Sequence, residues 1–216
     1  MAIKQSLLNL LTGMLLGALC VAQQTLADSV IKITPQLDFI EVQHDGRNVR
    51  IERNQDPENR LTNSFSKTSR VCPPFCIQPA HLLEKVTTIA ELEVLDFLDH
   101  QVKVGKGLLV DARIPEWREK GTIPGSVSMP FTHLSKGLDG EHAAKIIQLL
   151  GITKQSGRWD FSQARDLVLF CNGPWCAQST HAIKALVKLG YPQKKLFWYR
   201  GGMQAWQQVG LTIVKP

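Results

Sequence analysis

Three short runs, GLLVD at 107–111, DLVLF at 166–170 and KLFWY at 195–199, are almost wholly apolar. A strand with no polar face must be covered on both sides, and helical patterns intervene between these runs. EHAAKIIQLLG (141–151) carries apolar residues at helical spacing and closes on Gly151, and THAIKALVKLG (180–190) closes on Gly190. Thr88-Ile89-Ala90-Glu91 reads as a capping box, with Ile89, Leu92, Leu95 and Leu98 on one helical face. SVSMP (126–130) offers a further strand. Apolar strands alternating with helices predict an α/β fold whose central parallel sheet is flanked by helices. Ligands of such sheets bind beyond the carboxyl ends of the strands. Cys171 stands at that end of DLVLF.

The amino-terminal part has another texture. Lys4 precedes an apolar stretch from Leu7 to Val21, and Thr25-Leu26-Ala27 puts small residues where a signal peptidase reads. This predicts a secretory signal peptide over residues 1–27, with cleavage after Ala27 favoured over cleavage after Ala22, and a periplasmic location. Cys20 leaves with it. The stretch is short for a span, so membrane attachment is expected only if the signal stays uncleaved. LDFIEVQHDGRNVRIER (37–53) alternates apolar and polar residues around Asp45-Gly46, as a β-hairpin does. Residues 54–70 are polar and aperiodic, and read as a linker or exposed loop. VCPPFC follows, its adjacent prolines excluding a helix. Residues 28–82 are therefore read as an extension, and 83–216 as the main domain.

The net charge of +6 is spread along the chain with no clustered basic face, which argues against nucleic acid as a partner. After export four cysteines remain, Cys72, Cys76, Cys171 and Cys176. An even count in an oxidising compartment makes disulfides the default. Cys72 and Cys76 are expected to pair with each other, although pairing with, or a redox relay to, the other two stays open. Four thiolates for zinc or an iron–sulfur cluster are the less favoured reading, because the spacing is not that of the common metal knuckles. No metal or cofactor is expected.

LVLFCNGPWCAQSTHAIKALVKLGY (167–191) runs from strand through a Gly-Pro loop into a helix. Loop amides with a helix dipole behind them form an anion cradle and favour thiolate over thiol. Cys176, in the same loop, is a candidate resolving cysteine, half of a disulfide that staples the loop shut, or an independent free thiol. His181 reads as a plain exposed helix residue, and Trp175 either walls the site or docks a partner.

Three stretches resemble the signatures of rhodanese-like domains, in order: LLVDARIPEWREKGTIPGSVSMP, LFCNGPWCAQS and YRGGMQAW. The resemblance covers roughly residues 83–214. It implies a rhodanese-type sulfurtransferase in which Cys171 takes a sulfane sulfur as a persulfide. Asn172, Gly173, Pro174, Trp175, Cys176 and Ala177 would form the cradle that binds the substrate. The partners would be a small sulfane-sulfur donor and a thiol acceptor or partner protein. Asp111 and Arg113 match the family's Asp-x-Arg and are read as structural, as are Gly201, Gly202 and Trp206. The loop departs from the family pattern in lacking an arginine or lysine to grip an anionic donor. Without that guanidinium, phosphatase chemistry is not expected. Two rivals follow: a thiol–disulfide protein using Cys171 and Cys176, with Cys72 and Cys76 as further redox partners, and a non-catalytic binding module.

Overall fold

The computed structural model describes residues 30–216 except Lys136 and Asp139. The signal-peptide reading and Cys20 lie outside the described residues. Among these residues no helix is long and apolar enough to cross a membrane.

Among the described residues the first strands are β1 (Phe39–His44) and β2 (Arg47–Glu52), joined by Asp45 and Gly46 at positive φ. Two residues in that conformation make the tight turn whose twist suits a hairpin, as Asp-Gly predicts. The period of two puts Ile40 and Val42 of β1 on one buried face, with Ile51 of β2 beside them. His44 anchors the hairpin, its Nδ1 accepting the Gly125 N–H at 3.1 Å. Burial lowers the pKa of His44 despite the opposing pull of Asp45, and a neutral ring can accept that bond. At its other end the hairpin meets the carboxyl terminus, where the Thr212 N–H donates to the Glu52 carbonyl at 3.1 Å and the Glu52 N–H to Thr212 Oγ1 at 3.0 Å.

The central sheet has the order β3-β9-β8-β4-β5, every pairing parallel. Its strands are β3 (Thr87–Ile89), β4 (Gly107–Asp111), β5 (Ser126–Ser128), β8 (Asp166–Phe170) and β9 (Leu196–Tyr199). A small antiparallel pair, β6 (Thr153–Gln155) and β7 (Arg158–Asp160), stands apart from it. Alternation along β4 and β8 sends Leu109, Val168 and Phe170 to one core and Leu108, Val110, Leu167 and Leu169 to the other. The first core is shared with α1 (Glu91–Phe97), α6 (Gly202–Gln208) and the hairpin. The second is covered by α3 (Phe131–Ser135), α4 (Ala143–Leu150) and α5 (Gln178–Lys188). A short α2 (Pro115–Arg118) starts on its proline.

The predicted strands and the later helices stand where the pattern placed them, but the capping box does not. Thr88 lies in β3, opposite Trp198 in the sheet, and its hydroxyl donates to the Ala80 carbonyl. The helix begins at Glu91, and the carboxylate that accepts a capping N–H is Glu93, from Ala90 at 3.0 Å. Its buried face is Val94, Leu95, Phe97 and Leu98, while Leu92 is exposed. Strand pairing thus overrides a local capping signal two residues upstream.

Cys72 and Cys76 are disulfide-bonded to each other. That bond removes two of the four thiolates a zinc or iron–sulfur site would draw on. Among the described residues no three His, Cys, Asp or Glu side chains cluster as a metal site requires.

Candidate active site

β8 ends at Phe170 and α5 begins at Gln178, so the loop between them starts on Cys171 at the carboxyl edge of the sheet. The loop is held from below by the next helix. The Met203 N–H donates to the Cys171 carbonyl at 3.0 Å, and the Gln204 N–H to that of Asn172 at 2.9 Å. The approach leaves no room for a side chain between them. Gly202 has φ +55°, and a β-carbon there would collide with the Cys171 carbonyl. The second glycine of YRGG is therefore a spacer that lets α6 reach the loop. Trp206 is fully buried in the core below.

Cys171 is only 2% exposed, and Cys176 lies beside it as a second buried free thiol. Burial alone pushes the Cys171 pKa up. Hydrogen bonds from the Cys176 thiol, from the hydroxyl and N–H of Ser179, and from the Gly173 N–H outweigh it and pull the pKa down to about 7. Cys176 moves the other way. Its hydrogen bond to Cys171 and its own burial raise its pKa strongly, so Cys176 is the weaker acid of the pair, while as a thiol Cys171 donates to the Cys176 carbonyl at 3.1 Å. The cradle divides between the two sulfurs: the Gly173 and Ser179 amides serve Cys171, while those of Asn172 and Gln178 serve Cys176. Pro174 has no N–H, and Ala177 caps α5, its carbonyl accepting the His181 N–H.

Ser179 was not among the residues expected at the site. Its Oγ lies 3.0 Å from Cys171 Sγ, and Trp198 Nε1 donates to the same oxygen at 3.0 Å. With one lone pair engaged by the indole, the hydroxyl proton turns toward the sulfur. The serine is fully buried, so no water competes for it. Ser179 is thus a positioning residue for thiolate charge, and Trp198 positions Ser179. Ser179→Ala is expected to move the pH profile of Cys171 alkylation upward by about one to two pH units, since hydrogen bonds to charged groups are worth about 1.5–3 kcal/mol. An unchanged profile would remove Ser179 from this role.

Asp111 and Arg113 act as the sequence suggested, in structure. Asp111 is fully buried and accepts from Arg113 Nε at 2.8 Å and Nη2 at 2.6 Å. Thr122 Oγ1 donates to the same carboxylate at 2.7 Å. Arg113 also reaches Asn172 Oδ1 at 3.3 Å, which ties this buried network to the cysteine loop. His181 is exposed and packs on Phe131 rather than on the cradle.

Residues 63–78 strap the loop from outside. The Gln78 N–H donates to the Pro174 carbonyl at 2.7 Å, and Gln204 Nε2 to that of Phe65 at 3.3 Å. Phe75 meets the Trp175 ring edge-on at 5.6 Å between centroids, and the Arg70 guanidinium lies 3.7 Å over the same ring. Residues 54–70, read as a linker or exposed loop, therefore bury Phe65 and carry a cation onto the loop. Trp175 is a wall between strap and loop.

A parallel sheet flanked by helices thus carries, at the carboxyl end of β8, a buried cysteine whose pKa the surrounding donors pull down. The chain belongs to the rhodanese-like domain family, whose model matches residues 93–209. It is 27% identical over 111 residues to an HTH-type transcriptional regulator of Mycobacterium tuberculosis, a match covering 51% of this chain. That match covers 39% of the regulator, so the chain spans about two-fifths of that relative's length. Similar solved structures include a human single-domain sulfurtransferase, with TM-score 0.41 and 25% identity over 57% of this chain and 96% of that one. A thiosulfate sulfurtransferase from Pseudomonas aeruginosa aligns with TM-score 0.39 and 20% identity over 60% of this chain and 20% of that one.

Proposed function

We propose that the protein is a sulfurtransferase that carries sulfane sulfur as a persulfide on Cys171. The observation that carries this reading is the shell of donors around one sulfur, which holds the Cys171 pKa near 7 in spite of burial. In the first half-reaction the thiolate attacks the terminal sulfur of a donor X–S⁻. The X–S bond breaks, X⁻ leaves with the electron pair, and Cys171–S–S⁻ remains. An acceptor thiolate then attacks the outer sulfur, giving R–S–S⁻ and restoring the Cys171 thiolate. No net oxidant is needed. Donors that stabilise a thiolate also suit the outer sulfur of a persulfide anion.

An exported, periplasmic location is part of the same proposal, supported by the signal-like residues 1–27 and by the Cys72–Cys76 disulfide. Intact-mass analysis of native protein after incubation with a sulfane-sulfur donor tests both points. The expected species begins near Asp28 and has gained one sulfur atom, lost on adding a thiol. A soluble chain retaining Met1 overturns the export reading. A mass that never gains sulfur overturns the transfer reading.

The second reading is redox chemistry between Cys171 and Cys176, favoured by the hydrogen bond that already joins the two thiols. Loss of two electrons and two protons would close them into a disulfide and silence transfer until reduction. After matched oxidation, Cys176→Ala is then expected to keep activity without reductant but to over-oxidise at Cys171. Equal, reductant-independent activity in parent and variant would make Cys176 a bystander.

A further inference from the structure

The strap turns apolar side chains toward solvent. Val71 is 76% exposed, Ile77 80% and Phe75 40%. One exposed apolar residue means little, but these three fall within a single short segment and make a patch. The segment that carries them is stiff. Pro73 and Pro74 restrict its backbone, the Cys72–Cys76 disulfide closes it into a ring, and the Phe75 N–H donates to the Val71 carbonyl at 3.1 Å. Side chains presented on a stiff segment lose little freedom when a partner covers them, which favours binding.

The patch borders a cavity of about 510 Å³, whose walls include Phe75, Ile77 and Trp175 together with Arg70 and Arg200. No aspartate or glutamate lines it. Backbone carbonyls hold both arginines in place: Arg70 Nη2 donates to Ser64 O at 2.7 Å, and Arg200 Nη2 to Gln78 O at 2.8 Å. Among the described residues neither has a carboxylate partner, and Arg70 Nε is buried without an acceptor. Positioned cations beside uncovered apolar surface complement a partner that carries carboxylates next to bulky apolar side chains.

We infer that this face docks an acidic, apolar segment of another protein, with its carboxylates on Arg70 and Arg200 and its apolar side chains on Phe75 and Ile77. The extent of the surface favours a polypeptide over a small molecule. Val71 lies outside the cavity, so an occupant of the cavity alone leaves it bare. A chain that crosses both cavity and strap covers it. Anionic lipid surfaces are met by clusters of about four to eight lysines and arginines, whereas Arg70 and Arg200 are the only cations lining this cavity. The docking face makes no use of Cys171, which does not line the cavity, and it stands whether or not that sulfur is transferred.

Selection of a phage-displayed library of random dodecapeptides on the mature, disulfide-bonded protein tests the surface. The expected enrichment is for aspartate or glutamate close in sequence to phenylalanine, tryptophan or leucine. An enriched peptide, synthesised with a fluorophore, is expected to bind saturably in anisotropy titrations and more weakly as salt is added. Arg70→Gln and Ile77→Asp are each expected to weaken it at least tenfold, and Arg70→Lys, which keeps the charge, to recover part of the affinity. Circular dichroism establishes that the variants fold. Cys171→Ser is expected to bind as the parent does, so failure of docking and failure of sulfur transfer are read separately. Enrichment of basic or wholly apolar sequences, no enrichment, or binding indifferent to Arg70 and Ile77 overturns the inference. A concentration-dependent dimer lost in Ile77→Asp also overturns it, making a second copy the occupant. Arg70-dependent binding to phosphatidylglycerol vesicles overturns it in favour of a membrane surface.

Discussion

Cys171→Ser is expected to abolish sulfur transfer and leave the fold intact. The structure gives the reason in the donors that converge on this one atom. The Gly173 amide, the Ser179 amide and hydroxyl and the Cys176 thiol stabilise negative charge on a sulfur whose pKa falls to about 7. A serine hydroxyl in their midst stays protonated, because the same donors cannot close a gap of many pH units. It also forms no bond to sulfur from which a thiolate readily takes that sulfur back. Transfer by the serine variant is expected at least a thousandfold below the parent, in line with losses on removing an essential nucleophile. The side chains are nearly isosteric, and the hydroxyl keeps its contacts to the Cys176 carbonyl and Ser179. Thermal unfolding within a few degrees of the parent is expected to accompany the loss. A serine variant that transfers sulfur at the parent rate would exclude Cys171 as the carrier.

Asp111→Ala is expected to produce the largest loss of stability in the domain. Its carboxylate has no exposure to solvent and holds Arg113, itself 1% exposed, by two hydrogen bonds. Thr122 donates to it as well, and Arg118 Nη1 lies 3.4 Å away. Removing the carboxylate leaves a guanidinium buried without a counter-charge. Breaking one side of such a pair costs about 3–5 kcal/mol, against a total stability of about 5–15 kcal/mol for a typical domain. The double variant Asp111→Ala with Arg113→Met is expected to recover part of that loss, because the stranded charge goes with it. Urea unfolding of the three proteins is the measurement. A single-variant loss under about 1 kcal/mol would mean that water or another carboxylate reaches Arg113. Asn172 would feel the change too, since Arg113 donates to its side chain.

What could be read from the sequence was what lies close together along it. The apolar run of β8, the cysteine at its end and the helix that follows are consecutive, and the local pattern fixes their geometry. Asp45-Gly46 and Gly151 were legible for the same reason, each being a positive-φ position that glycine or a short polar residue fills. Gly202 was read as structural, but its purpose, contact with the Cys171 carbonyl, appears only once α6 is docked. Ser179 and Trp198 come from different elements, and their meeting depends on the parallel register that sets Leu169 opposite Trp198. No period or motif announces it. The strap was the hardest to see, because residues 54–70 bury little besides Phe65 and are fixed by scattered polar bonds. The misplaced capping box shows the same limit: Thr88 satisfies the motif but is claimed by β3.

Cys171 is buried in its own loop, and the strap covers that loop from outside at Pro174 and Trp175. At 2% exposure no donor or acceptor touches Sγ in the closed arrangement. Any reaction there proceeds as hydrogen exchange does at a protected amide, its observed rate the intrinsic rate multiplied by the fraction of time the site stands open. Persulfides decay in contact with stray thiols, so the fraction that slows loading also lengthens the life of the loaded form. Under the proposed transfer, a change that draws Phe75 and Arg70 away from Trp175 would alter both at once.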